Sequence, residues 1–141
     1  KGPDVDIYPA ECDIDLRGKT EQEVSASDTG MGFSVQLGEL FQVLYTCDQE
    51  GYLQVWSTGS PPFEYRNLLV KAHNQNAVQR DGTIVDFPLK TSGEEIFNIA
   101  FTKQSLTQDV DLLEGELTPE GIPGRLDVLW FDHIVVSQKT E

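Results

Sequence analysis

The chain has 141 residues and a formal net charge of −14, from 10 basic and 24 acidic side chains. This length suits one domain that buries its own core, and a hydrophobic content of 38% is too high for a disordered chain. Phosphate backbones and anionic lipid headgroups repel so acidic a protein, which argues against nucleic-acid binding. No stretch is apolar enough for a membrane helix, so we expect no direct membrane insertion.

Alternation of polar and apolar residues predicts strands along the first half of the chain. These strands are predicted at residues 4–8, 11–16, 33–37, 40–47 and 52–57. Residues 19–32 are rich in Ser, Thr, Gly and acidic residues, which is typical of a loop. The stretch CDQEGYLQVW, residues 47–56, predicts a hairpin in which Gly51 provides the backbone turn.

The second half continues this pattern after a Pro-rich break at residues 58–62. It contains a short apolar run at residues 68–70 and predicted strands at residues 83–89, 95–103 and 125–137. Asp81 and Gly82 form a turn dipeptide, because Gly accepts positive φ. One short helix is predicted at residues 105–115, where Ser105 and Gln108 match a capping box.

About eight or nine strands with a turn every eight to twelve residues are typical of an all-β fold. The pattern predicts an antiparallel β-sandwich of the immunoglobulin-like or Greek-key kind, with one short helix. No internal repeat and no second domain are visible, so residues 1–141 are expected to form a single β-sandwich domain.

The two cysteines, Cys12 and Cys47, lie in predicted strands or at a strand end. An even number of cysteines fits one disulfide in an oxidising compartment, and it also fits two buried thiols in a cytosolic protein. We favour a Cys12–Cys47 disulfide, because the two strands can be neighbours in a sandwich.

Turn motifs follow one another in a characteristic order from Phe33 to Leu106. They are Leu37-Gly38-Glu39, DQEGYL at residues 48–53, Asn74 to Asn76, Gly82, Phe87-Pro88 and Gly93-Glu94-Glu95. In this order the chain resembles the bacterial "domain of unknown function 4384" family, whose members carry a D-x-x-G-Y-L hairpin and a G-E-E turn. The resemblance implies a small β-sandwich in envelope or secreted proteins, with no established catalytic activity and therefore no site residues.

Catalytic and cofactor motifs are absent from the sequence. The only histidines are His73 and His133, no G-x-S-x-G elbow exists, and a nucleophile triad needs a geometry that no motif here indicates. The cysteines lack the short spacing of a zinc site. We therefore expect a protein that is not an enzyme and that needs no cofactor.

Calcium is the better metal candidate, because it prefers hard oxygen ligands. One acidic group, near Gly115, has the composition of a weak calcium site, although it lacks the D-x-[DN]-x-[DN]-G loop. Its members are Asp109, Asp111, Glu114 and Glu116.

Aromatic residues mark a candidate partner-binding surface, since Trp and Tyr often anchor interfaces. The candidates are Tyr52, Trp56, Phe63 and Tyr65. The alternative is that Trp56 packs in the sandwich core, as aromatic residues of central strands commonly do.

These observations favour a non-enzymatic protein-interaction domain of a bacterial cell-envelope or secreted system. The expected location is periplasmic or secreted, and the expected partner is another protein of the same system. Recognition would use one sheet face or strand addition at a sheet edge. The alternative is a calcium- or carbohydrate-binding β-sandwich module.

Overall fold

A computed structural model describes residues 9–18, 25–26, 32–36, 38–59, 62–89, 93–121 and 128–138. These residues form an all-β structure without a helix. The first six strands are β1 (Cys12–Gly18), β2 (Ser25–Ala26), β3 (Gly32–Val35), β4 (Leu40–Cys47), β5 (Gly51–Ser57) and β6 (Phe63–Val70). The others are β7 (Asn76–Ala77), β8 (Gln79–Arg80), β9 (Thr83–Ile84), β10 (Phe87–Pro88), β11 (Glu94–Thr102) and β12 (Val128–Gln138).

Two sheets form an open, sandwich-like arrangement. The smaller sheet has the order β1-β4-β10, with β7 also paired to β4, and the larger sheet has the order β2-β3-β12-β11-β5-β6. The pairs are antiparallel, apart from β3 with β12, which is parallel. The predicted all-β, antiparallel sandwich is therefore confirmed.

The main core lies between the inner faces of the two sheets. Phe41 and Val43 of β4 face Leu53 and Val55 of β5 across this core, and all four side chains are fully buried. β1 alternates strictly between buried and exposed positions, as the period of two in its sequence predicts. Alternation therefore determines which side chains of β1 enter the core.

The connection between β4 and β5 differs from the predicted hairpin. β4 pairs with β1, β7 and β10, whereas β5 pairs with β6 and β11, so the chain crosses from one sheet to the other at residues 48–50. The Asp48 carboxylate accepts a hydrogen bond from the Glu11 amide at 3.0 Å, which ties this crossing to the start of β1. Alternation specifies the buried face of a strand but not its neighbour, so it does not distinguish a hairpin from a sheet-to-sheet crossing.

The predicted disulfide between Cys12 and Cys47 is confirmed. The two residues are directly opposite each other in the β1–β4 pair. The bond indicates an oxidising, extracytoplasmic environment.

The predicted helix at residues 105–115 is wrong, because these residues form a series of turns. We call residues 103–121 the cover segment, since they pack on the outer face of the larger sheet. Leu106, Val110 and Leu112 of this segment form a second apolar cluster with Trp56 of β5 and Ala100 of β11. Burial of these side chains on the sheet outweighs the local helix signals.

Two residues of β6 hold the cover segment in place. The Arg66 guanidinium donates to the carbonyl oxygens of Val110 at 2.7 Å and Thr107 at 2.6 Å. Asn67, next to it, donates from Nδ2 to the Leu106 carbonyl at 3.1 Å and accepts from the Leu106 amide at 2.7 Å. Carbonyl groups that an α-helix would use internally therefore bind Arg66 instead.

A polar group under this segment is fully hydrogen-bonded despite its burial. Gln54 has no exposed surface, and its amide nitrogen donates to Asn67 Oδ1 at 3.1 Å and Thr102 Oγ1 at 3.2 Å. Its carbonyl oxygen accepts from the Asn67 amide at 2.7 Å. These bonds offset the cost of burying the Gln54 side chain.

The predicted turn at Asp81-Gly82 connects β8 and β9, with φ angles of 54° and 81°. The predicted strand at residues 4–8 and most of the predicted loop at residues 19–32 lie outside the described residues, as do residues 125–127 of the last predicted strand. No helix in the described part of the chain is long and apolar enough to cross a membrane.

Candidate functional site

Aromatic side chains converge at the open end of the sandwich, where β6, β10 and β11 meet. Phe63 lies 5.2 Å from Phe97 and 5.4 Å from Phe87, measured between ring centroids. Tyr65 lies 5.5 Å from Phe87 in an edge-to-face arrangement. These rings border a cleft of about 170 Å³, which we call the aromatic cleft. Its lining residues are Phe63, Tyr65, Val85, Asp86, Phe87, Pro88, Glu95 and Phe97.

The strand register explains why these rings share one side. Tyr65 is paired with Val55, a core residue of β5, so the ring points towards the space between the sheets. Phe87 of β10 is paired with Phe41 of β4 and approaches from the other sheet. Because β6 is the last strand of its sheet, Phe63 and Tyr65 are only half-buried. The cleft is therefore open on the side where the described residues provide no further strand.

The β8–β9 hairpin fixes one wall of the aromatic cleft. The guanidinium carbon of Arg80 lies 4.3 Å from the centroid of the Tyr65 ring, which is a cation–π geometry. The same guanidinium donates to the Glu64 carbonyl at 2.8 Å. Arg80 thus orients the Tyr65 ring, and it also forms a hydrogen bond with a backbone carbonyl of the edge strand β6.

Two carboxylates lie at the rim of this apolar space. Asp86 belongs to the lining and accepts a hydrogen bond from Gln42 at 3.2 Å, and Glu95 lines the cleft from β11. The arrangement provides an apolar slot for one side chain of a ligand, and the acidic groups of the protein lie beside this slot. Such a slot selects between ligands by the shape of the side chain that enters it and by the charge of the ligand residues on either side of that side chain.

The four predicted partner-binding residues do not form one surface. Phe63 and Tyr65 lie together, with ring centroids 5.7 Å apart, on the inner side of β6. Trp56 is paired with Glu64 and points to the outer face, where it is 4% exposed beneath the cover segment. Its ring packs edge-on against Phe131 at 5.9 Å. Trp56 is therefore a packing residue of the second cluster, and Tyr52 lies near the other end of β6, paired with Leu69.

Phe87 and Phe97 were not among the sequence candidates for this surface. Alternation places Phe97 on the buried face of β11, and Pro88 marks the end of a predicted strand. Neither feature indicates that the two rings approach Phe63 across the gap between sheets. That approach depends on the pairing of β10 with β4, which connects residues distant in the chain.

The acidic group of the cover segment contacts its own backbone. The Asp111 carboxylate accepts from the amides of Leu113 and Glu114, each at 3.2 Å, and the Glu116 carboxylate accepts from the Asp111 amide at 3.2 Å. Asp109 accepts from the Thr107 hydroxyl. No group of three potential metal ligands occurs among the residues that the structure describes. These contacts stabilise turns, and they do not assemble a calcium site from the four candidates.

Neither histidine side chain has a hydrogen bond to a hydroxyl or a thiol within the described ranges. The His73 amide donates to the Cys47 carbonyl at 2.7 Å, and the exposed His133 ring lies 4.0 Å from Asp132. Burial raises the pKa of Tyr45 to about 12, so this core tyrosine stays neutral near neutral pH.

Comparison of the chain with family models, with curated proteins and with solved structures finds no match. The resemblance to the family of domain 4384 therefore stays a prediction.

Proposed function

We propose that the chain is a non-enzymatic interaction domain that binds an apolar side chain of a partner protein in the aromatic cleft. The observation that carries this proposal is the half-open cleft between the two sheets, about 170 Å³ in volume and walled by four aromatic rings. An apolar cavity of about 150 Å³ holds benzene, so this cleft accommodates one phenylalanine or leucine side chain. Aromatic walls of this kind commonly form the centre of a protein interface.

The proposed setting is a bacterial cell envelope or a secreted system, with another protein of that system as the partner. The Cys12–Cys47 disulfide supports an oxidising location. The turn motifs shared with the family of domain 4384 support the bacterial envelope or secretion. The net charge of −14 supports a partner with basic residues beside the inserted side chain.

Nuclear magnetic resonance tests the aromatic cleft without knowledge of the partner. We expect N-acetylphenylalanine amide to shift the backbone amide signals of Val85, Asp86 and Phe97 in a saturable way, whereas N-acetylglycine amide leaves them unchanged. The Val85→Phe variant fills the cleft with its own ring and should reduce these shifts at least fivefold, since the apolar volume is then occupied.

The matched control is Ile84→Phe, because Ile84 is the neighbouring residue, is 39% exposed and does not line the cleft. This variant adds a ring of the same kind at the surface and should respond like the wild type. Equal shifts with both amides, or equal loss in the Val85 and Ile84 variants, would contradict binding in the aromatic cleft.

A further inference from the structure

A second cleft lies at the end of β6 opposite to the aromatic cleft. It has a volume of about 340 Å³, and Tyr52, Leu69, Lys71 and Lys103 line it together with Glu50. We call it the lysine cleft. Its size is in the range of ordinary ligand clefts on proteins.

The ends of three neighbouring strands form the lysine cleft. Tyr52 of β5 is paired with Leu69 of β6 on one side and with Thr102 of β11 on the other. Lys71 and Lys103 follow directly after β6 and β11, so the chain brings one ammonium group to each side of β5. Gly51 of β5, which is paired with Val70 of β6, also lines the cleft.

The two lysines differ from the other cations in their contacts. Among the residues that the structure describes, the Lys and Arg side chains are Arg17, Arg66, Lys71, Arg80 and Lys103. All three arginines have hydrogen bonds within the chain, to Gln42, to the cover segment and to the Glu64 carbonyl respectively. The side chains of Lys71 and Lys103 have neither a hydrogen bond nor an ion pair in this part of the protein. Among the described residues, the cations without a partner thus line a single cleft.

We propose that the lysine cleft binds an acidic peptide segment of a partner protein, through carboxylates on Lys71 and Lys103 and an apolar residue on Leu69. The Leu69 side chain is 60% exposed and is the most exposed large apolar side chain among the described residues. An inorganic anion or a small dicarboxylate has no apolar side chain to pack against Leu69. A peptide that alternates acidic and apolar residues uses both the charges and the Leu69 side chain.

The cleft composition favours a peptide over an acidic glycan. An acidic glycan presents hydroxyl groups beside its carboxylates, whereas the wall beside the two lysines is the exposed apolar side chain of Leu69. The proposal rests on the proposed function in one respect, namely that the partner is a protein, but it concerns a separate surface.

The probe is the peptide acetyl-DLELD-amide, compared with its neutral counterpart acetyl-NLQLN-amide in titrations of ¹⁵N-labelled protein at low ionic strength. We expect the acidic peptide to shift the amide signals of Leu69, Lys71 and Lys103 and to lose affinity as salt is raised. Lys103→Gln should weaken binding about two- to fivefold, and the double Lys71→Gln/Lys103→Gln variant roughly three- to thirtyfold, as expected for exposed ion pairs.

The matched control is Arg17→Gln, which removes the same charge on the outer side of β1, away from the cleft. It should bind the acidic peptide like the wild type. Glu50→Gln removes the one carboxylate that lines the cleft and should strengthen binding. The Val85→Phe variant should keep full affinity for this peptide, so that failure of the lysine cleft and failure of the aromatic cleft are distinguished.

Three results would overturn the proposal. The first is equal affinity for the acidic and neutral peptides, and the second is an equal loss in Arg17→Gln and Lys103→Gln, which would show a general effect of charge. The third is a lysine-dependent response to glutarate or to a galacturonate oligomer that equals or exceeds the response to the peptide, which would assign the cleft to small anions or acidic glycans.

Discussion

Gly51 shows how a single position can be constrained by packing and not by backbone conformation. It follows the crossing between the sheets, and its φ angle is not among the positive ones. A Cβ atom at this position would lie 2.6 Å from the Thr102 carbonyl oxygen and 2.7 Å from the Phe101 ring. The Phe101 side chain is fully buried, so it has no room to move away. The expected role of Gly51 in a turn is therefore replaced by a close approach between β5 and β11.

We expect Gly51→Ala to lower the free energy of unfolding by about 1–3 kcal/mol, because the added methyl group overpacks the site. Gly93→Ala is the matched control, since a Cβ at Gly93 meets no atom within 4 Å and no positive φ is required there. The control should change stability by less than about 0.5 kcal/mol. Urea denaturation of both variants gives the comparison, and equal stability of the two would refute this packing role.

At the scale of elements, the middle of β6 couples the larger sheet to the cover segment. The register between β5 and β6 shifts between Leu53 and Val55, opposite Arg66 and Asn67. Asn67 has a φ of 56°, which is the left-handed conformation that asparagine tolerates better than most residues. This bulge turns the Asn67 side chain towards Gln54 and Leu106 at the same time. One residue thus links two strands and the cover segment.

Replacement of Asn67 by alanine should lower the free energy of unfolding by about 2–4 kcal/mol, since several partly buried hydrogen bonds are lost and the left-handed φ is retained at a cost. The Leu106 amide bonds to the Asn67 side chain, so its hydrogen-exchange protection should fall most. Exchange measured by nuclear magnetic resonance reports this signal directly.

The matched variant is Asn74→Ala, at an exposed position of the turn after β6. It should leave both stability and Leu106 protection unchanged. Retention of Leu106 protection in Asn67→Ala would show that the cover segment does not depend on this side chain.

The sequence predicts where the cover segment lies in the chain, but it does not predict the conformation of this segment. A capping-box pattern at Ser105 and Gln108 favours a helix locally, whereas the described backbone is bent to place Leu106 and Val110 on the sheet. A capping-box pattern carries no information about an apolar sheet face elsewhere in the chain on which these residues can be buried. Likewise, Trp56 and Tyr65 fall on opposite faces because the register of β6 on β5 pairs Tyr65 with Val55 and pairs Trp56 with Glu64.

On the scale of the whole molecule, the disulfide connects the first strand of the smaller sheet to the point where the chain changes sheet. Cys12 and Cys47 are separated by 35 residues, so the bond closes a loop that includes β2 and β3. Asp48, next to Cys47, also exchanges hydrogen bonds with Glu11 in this region. The disulfide and the hydrogen bonds between Asp48 and Glu11 therefore both connect the start of β1 to the end of β4.

Removal of the bond in the double Cys12→Ser/Cys47→Ser variant should lower the free energy of unfolding by about 3–4 kcal/mol, as the chain-entropy model gives for a loop of this size. Thermal unfolding checks the loss. Reductant should bring the wild type to the same stability and should not affect the variant. A thiol assay of the denatured, unreduced protein should find no free thiol, and two free thiols would contradict the bond.

Much of the fold was predictable because the period of two in a strand is strong and local. β4, β5 and β11 fall where alternation predicts them, and the opposition of Cys12 and Cys47 follows from neighbouring strands. The aromatic cleft was predictable only in part, through Phe63 and Tyr65. Its other wall comes from β10, and pairing between strands far apart in the chain leaves no local pattern.

The contact between Arg80 and β6 has a consequence for self-association. An edge strand with a continuous row of exposed backbone groups is where sheets of separate molecules join into fibres. In β6 this row is interrupted by the bulge at Asn67 and by the bond from Arg80 to the Glu64 carbonyl. The strand that carries both clefts is therefore a poor template for polymerisation, and it exposes recognition side chains without an extended edge on which aggregates grow.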